Sequence, residues 1–187
     1  MQQDLTIVWR RLDHPGHEFA RLFREAGGWR LSGAAVLVME GVSCSLDYAI
    51  EIDEAWRTRQ ASVRGWVGSA RIDREISAGL DGRWTLDGAE SRGVRGCLDI
   101  DLAFSPSTNL LPIRRLDLKV GHAIPVRAAW LRFPEFDLAP LEQIYRRIDA
   151  ETVRYESNGG QFVRDLQVDP AGMVVRYPDF WEAEART

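Results

Sequence analysis

Two arginines sit where alternation would otherwise be apolar. Arg74 shares a strand face with Ile72, Ile76 and Ala78, and Arg164 shares one with Phe162, Leu166 and Val168. A guanidinium on the greasy side of a sheet costs several kcal/mol unless it meets a carboxylate, a carbonyl or an anionic ligand. One reading makes Arg74 and Arg164 cationic anchors for a polar headgroup inside a cavity. The other pairs them with internal acids such as Asp99 or Glu51, or bends them back to water. Isolated buried charge is so seldom tolerated that the second reading carries more weight.

Asp99 and Asp101 also share a face, separated by about 6.6 Å of strand rise. Glycoside hydrolysis uses two carboxyl groups on opposite sides of the scissile bond, roughly 5–10 Å apart. Acids at i and i+2 point in parallel, so they more often form the solvated face of a strand, and no catalytic residue is assigned. The seven tryptophans, Trp66 and Trp84 among them, suit sugar or lipid contacts, but any single one is more often core filling. His14 and His17 flank Pro15-Gly16, a turn signal with no third metal ligand nearby. Ser105 lacks nucleophile-elbow glycines, and no phosphate-cradling or dinucleotide loop is present. No metal or cofactor is expected.

The chain has 187 residues, 45% of them hydrophobic and 28% charged, with a net charge of -4. That composition builds a packed core and argues against a nucleic-acid partner, which would call for a basic excess. No basic-then-apolar leader opens the sequence and no apolar run approaches the roughly 20 residues that span a bilayer, so a cytoplasmic location is expected. Cys44 and Cys97 then read as two buried, reduced thiols, although their spacing also permits a disulfide.

The elements that must position these groups are mostly strands. From Val42 to Asp53, apolar Val42, Cys44, Leu46, Tyr48, Ile50 and Ile52 alternate with small or polar residues. One apolar face with period two means an antiparallel sheet with water on its other side. Segments 70–78, 97–104, 162–168 and 173–177 repeat the pattern. Leu80-Asp81-Gly82 and Asp169-Pro170-Ala171-Gly172 are hairpin turns. Two stretches fit either a short helix or an irregular strand: Phe19, Leu22, Phe23 and Ala26, and Leu141, Ile144, Tyr145 and Ile148. With no visible linker, residues 1–187 form one domain. Residues 57–87 overlay 147–177 at an offset of about ninety residues, so an internal duplication of 1–93 and 94–187 stands level with a chance overlay of β-rich stretches. The fold expected is mainly β: a long antiparallel sheet with few short helices, curled into an open barrel or roll to hide its edges.

Residues Cys97 to Leu116 read CLDIDLAFSPSTNLLPIRRL. The pattern predicts a strand ending at Phe104, a loop fixed by Pro106 and Pro112, and a second strand carrying Arg114 and Arg115 on opposite faces. Ser105, Thr108 and Asn109 offer neutral hydrogen bonds, and the arginines offer two forks. This is a headgroup clamp or a structural crossover.

The same segment resembles the signature of the Putative glycolipid-binding family: a Cys-x-Asp-(Ile/Val)-Asp-Leu strand, Ser/Thr-Pro-x-Thr-Asn, then Leu-Pro-Ile-Arg-Arg-Leu. Leu110 departs, standing where the pattern has a small polar residue. Gly28 to Gly33 and Val168 to Pro178 also match, so the resemblance spans nearly the whole chain. It implies a mostly-β bacterial protein and a glycolipid or similar amphiphile as ligand, and brings no catalytic residues. On this reading Arg74, Arg164, Arg114 and Arg115 anchor the polar end. Thr108, Asn109, Asp99 and Asp101 add hydrogen bonds, and Trp66 and Trp84 belong to the walls. The alternatives are a pocketless structural or partner-binding protein, and a carbohydrate or lipid hydrolase using Asp99 and Asp101.

Overall fold

The computed structural model describes residues 4–187. Fifteen strands join one sheet. The first six are the long ones: β1 (Leu5–Arg11), β2 (Gly16–Glu25), β3 (Gly28–Met39), β4 (Val42–Asp53), β5 (Thr58–Val67) and β6 (Ala70–Ala78). The short β7 (Trp84–Leu86), β8 (Ala89–Glu90) and β9 (Ile100–Leu102) follow, then the helix α1 (Leu110–Leu116). The remainder are β10 (Ala123–Leu131), β11 (Leu138–Arg147), β12 (Thr152–Ser157), β13 (Phe162–Val168), β14 (Val174–Tyr177) and β15 (Trp181–Arg186).

The order is β8-β7-β6-β5-β4-β3-β2-β1-β15-β14-β13-β12-β11-β10-β9, so the first and last strands pair at the centre. All neighbours are antiparallel except β9 and β10. The sheet is mainly antiparallel, as the alternation predicts, and it is open: no ladder joins β8 to β9. Single hydrogen bonds tie the chain ahead of β9 to the other arm, from Thr58 N to Leu98 O (2.9 Å) and from Gly96 N to Gly82 O (2.8 Å). No helix among the described residues is long and apolar enough to cross a membrane.

Three expectations are corrected. Residues 110–116 are helix rather than strand: Leu110, Leu111 and Ile113 are buried in the core, and Pro112 falls in the first turn, where its missing N–H costs no helical bond. Arg114 and Arg115 therefore leave from a helix surface. The strand before them is only three residues long and ends at Leu102. Finally, Asp99 is 1% exposed, so the 99/101 face is not solvated.

The two ambiguous stretches are strands. In β2 the buried face is Glu18, Ala20 and Leu22, and in β11 it includes Gln143 and Tyr145. Both hairpin turns form; Asp169 Oδ1 accepts from the Ala171 and Met173 N–H groups at 2.9 Å each. Cys44 and Cys97 are buried and free.

Inner-face side chains of distant strands converge on the segment before α1. Glu18 of β2 meets Ser105, Tyr48 of β4 meets Ser107, and Tyr145 of β11 meets Asn109. Residues 105–109 are buried and thereby lock the two arms to one polar spine.

Candidate functional site

A cleft of about 610 Å³ opens between the β9–β15 arm, the end of β1 and residues 103–109. Its wall is aromatic. Tyr155, Phe162 and Tyr177 come from successive strands β12, β13 and β14, and Phe180 from the β14–β15 turn. The rings hold one another edge to face: Tyr155 to Phe162 at 5.9 Å and 75°, and Tyr177 to Phe180 at 5.5 Å and 77°. This is the favoured arrangement of ring quadrupoles, and it keeps the wall rigid without filling the cleft. Arg164 lies over Phe162 (4.8 Å) and Phe180 (5.5 Å), with Nε 3.2 Å from Asp179 Oδ2. That Nε is buried and makes no aligned hydrogen bond, so the contact is an ion pair. Trp130 and Trp181 also border the cleft, and Arg11 sits over the Trp181 ring at 5.4 Å.

The polar lining comes from Asp101, Ser105 and Asn109. Asp101 Oδ2 accepts from Gln143 Nε2 at 2.6 Å, and the same amide reaches the Tyr155 hydroxyl at 3.1 Å. Burial pushes the Asp101 carboxyl up to about 6; the Gln143 bond opposes the shift and the neighbouring Asp99 charge adds to it. Asn109 is fixed at both ends. Its Nδ2 donates to Pro106 O at 3.1 Å, and its Oδ1 accepts from the Tyr145 hydroxyl at 2.9 Å.

Behind Ser105 lies a buried polar cluster. Glu18 Oε1 accepts from Ser105 Oγ at 2.5 Å and from the Tyr48 hydroxyl at 2.6 Å, while Ser107 Oγ lies 2.7 Å from that hydroxyl. Glu18 Oε2 is buried with no partner. Burial raises this carboxyl to about 8, with the Ser105 and Tyr48 bonds and the Arg11 charge opposing, so Glu18 is mostly protonated at neutral pH.

Of the residues singled out from the sequence, Asp101 and Asn109 line the cleft and Arg164 braces its wall. The others lie elsewhere. Arg74 pairs with Asp87 (3.2 Å) and donates to Phe136 O (3.2 Å). Arg115 grips Asp99 with both ends of its fork. Arg114 stacks on Trp56 at 4.6 Å and donates to Ala171 O at 3.3 Å. Thr108 Oγ1 is buried and accepts from Leu102 N at 3.4 Å. Trp84 is 1% exposed and donates to Cys97 O, whereas Trp66 is 52% exposed on the outer face. Sequence reasoning missed Phe180, Gln143 and Glu18, while Trp130 and Trp181 stood among the seven tryptophans it offered for sugar or lipid contacts. Phe162 and Tyr177 were visible as the apolar set of one hairpin, and clustering of rings there was the available signal.

An open single sheet carrying an aromatic-walled cleft with a polar lining defines a class of β proteins with a cavity of small-molecule size. Residues 6–183 match the family described as "Putative glycolipid-binding", and the chain belongs to that family. Among solved structures it is similar to a crystal structure of a DUF1089 family protein from Pseudomonas aeruginosa. The two are 31% identical, with 88% of this chain and 91% of that one covered and a TM-score of 0.78. No curated protein matches.

Proposed function

We propose that the protein binds an amphiphile with a sugar-like polar end in the cleft walled by Tyr155, Phe162, Tyr177 and Phe180. The observation that carries this is the pairing of a ring-lined wall with hydrogen-bonding groups on Asp101, Ser105 and Asn109. Ring faces stack on the apolar faces of sugars and on alkyl chain, and the polar groups read hydroxyls. Membership of the family supports the ligand class. On this reading the sheet's inner face wraps the 103–116 segment and leaves the cleft at its open side, and the ligand is met in the cytoplasm. Duplication of an ancestral half is consistent with strand–strand–turn–strand runs at β5–β7 and β12–β14.

The two aspartates do not present themselves jointly to one ligand, because Asp99 is turned to Arg115. Binding therefore accounts for the cleft better than hydrolysis by Asp99 and Asp101. Organic extraction of the purified protein followed by mass spectrometry, with tryptophan fluorescence on titration of n-octyl β-glucoside, tests the reading. A co-purifying glycolipid or a saturable fluorescence change at Trp130 and Trp181 supports it. No bound lipid and no change overturn it.

A further inference from the structure

We propose that the polar end of the ligand carries a protonated amine, seated against Asp101 and the ring faces of the cleft. The inference rests on the cleft being the binding site, as argued above.

The argument is an accounting of charge. Asp101 forms no ion pair with any arginine, lysine or histidine among the described residues; its one hydrogen-bond donor is the neutral Gln143 amide, on Oδ2. Oδ1 accepts nothing from the protein, although Asp101 borders the cleft. The nearby cations are all committed. Arg115 is clamped to Asp99. Arg11 donates to both oxygens of Asp13, at 2.7 and 3.0 Å, and Arg164 pairs with Asp179 at 3.2 Å. The cleft thus offers a half-buried carboxylate in its wall and no free cation among the described residues that line it, which disfavours phosphate, sulfate and carboxylate headgroups. An incoming ammonium supplies the missing partner.

The walls point the same way. Aromatic faces attract organic cations, as Arg164 over Phe162 and Phe180 illustrates, and Tyr155 and Tyr177 add further rings to the same cleft. An inorganic ion gains little here: no group of three His, Cys, Asp or Glu side chains among the described residues converges on a metal-sized point. An ammonium borne on carbon uses the carboxylate and the rings together. An amino sugar or a simple alkylammonium both satisfy this chemistry.

Three probes of equal chain length decide it by calorimetry, each kept below its micelle concentration: n-octylamine, n-octyl β-glucoside and n-octyl sulfate. Octylamine is expected to bind most tightly, and Asp101→Asn to weaken it by about tenfold or more, removing its advantage over octyl glucoside on the same variant. Octyl glucoside or octyl sulfate binding as tightly as octylamine, or an Asp101→Asn variant that holds octylamine unchanged, overturns the inference and leaves the binding reading standing. Failure of all three probes overturns both. Should the variant not fold, the ranking of the probes on the unaltered protein still decides.

Discussion

Asp99 and Asp101 stand two residues apart and meet opposite environments: Asp99 is clamped by the Arg115 guanidinium, and Asp101 has only the Gln143 amide. Asp99 has a structural partner, and on the proposed reading Asp101 is left for the ligand. Asp99 fixes α1 against the chain entering β9 through the Arg115 fork.

Arg115→Met therefore strands a buried charge. Breaking a buried pair from one side costs about 3–5 kcal/mol, whereas replacing both partners by apolar groups is far milder. Urea unfolding is expected to show a loss of that order for Arg115→Met, and a markedly smaller loss for Asp99→Leu combined with Arg115→Met. Equal losses in the two variants would mean that the pair contributes nothing beyond packing.

Glu18 makes stability depend on pH. Its carboxyl rises from an ordinary 4.5 to about 8 in the fold, so between those values the folded protein holds a proton that the unfolded chain releases. Stability is full below about 4.5, falls as pH rises, and levels off above about 8, with a total change of a few kcal/mol. Asp101 adds a similar decline at lower pH, since its carboxyl is raised to about 6. Glu18→Gln removes the first contribution only. The difference in thermal midpoint between the two proteins is expected to widen from pH 4.5 to pH 8 in favour of the variant. A constant difference across that window would show that Glu18 is ionised in the fold.

These same residues explain what the sequence hid. The alternation from Val42 to Asp53 was legible because β4 buries apolar residues on one face from Cys44 to Ile52, with only Val42 at its start exposed. In β2 the buried row runs Glu18, Ala20, Leu22 while Phe19 is 43% exposed, so polarity is inverted at the position that serves the polar spine. In β11 a buried Gln143 sits beside an Ile144 that is 38% exposed. A period-two signal fails where a strand turns a hydrogen-bonding side chain inward, and here those are the side chains beside the cleft. The inward placement of Arg74 and Arg164 was readable from spacing, but their partners, Asp87 and Asp179, come from turns that no periodicity locates.

Gly33 lies directly across the ladder from Tyr48. A Cβ built there would come within 2.4 Å of the Tyr48 hydroxyl oxygen and 2.5 Å of Phe19 O. Gly33→Ala must push the ring off Glu18 and Ser107 or part β3 from β2. A loss of about 1–3 kcal/mol is expected in urea unfolding, typical of overpacking. A neutral outcome would mean that Tyr48 moves freely.

Trp84 and Trp66 separate core from surface. Trp84→Ala empties a fully enclosed site and abandons the Cys97 carbonyl, so a loss of about 3–5 kcal/mol is expected. Trp66→Ala should stay within about 0.5 kcal/mol and leave octyl glucoside binding unchanged, since the ring lies on the outer face. Reduced binding in Trp66→Ala would place a ligand contact on the opposite side of the sheet.

Phe180 offers the cleanest test of the wall. It is only partly buried, and it projects from the turn whose Asp179 has a φ of 70°. Its ring packs on Tyr177 and Phe162 and carries the Arg164 guanidinium. Phe180→Ala removes one face of the cleft while β14 and β15 keep their backbone pairing, so the stability loss should be about 1 kcal/mol. The ligand loses both stacking and burial, and affinity for octyl glucoside is expected to fall by about tenfold. Phe180→Leu should recover burial without the ring face, and Phe180→Tyr should recover both. Calorimetric affinities in the order Phe, Tyr, Leu, Ala assign the wall to stacking. Leu binding as well as Phe would assign it to the hydrophobic effect alone and remove the case for a sugar face or an ammonium against these rings.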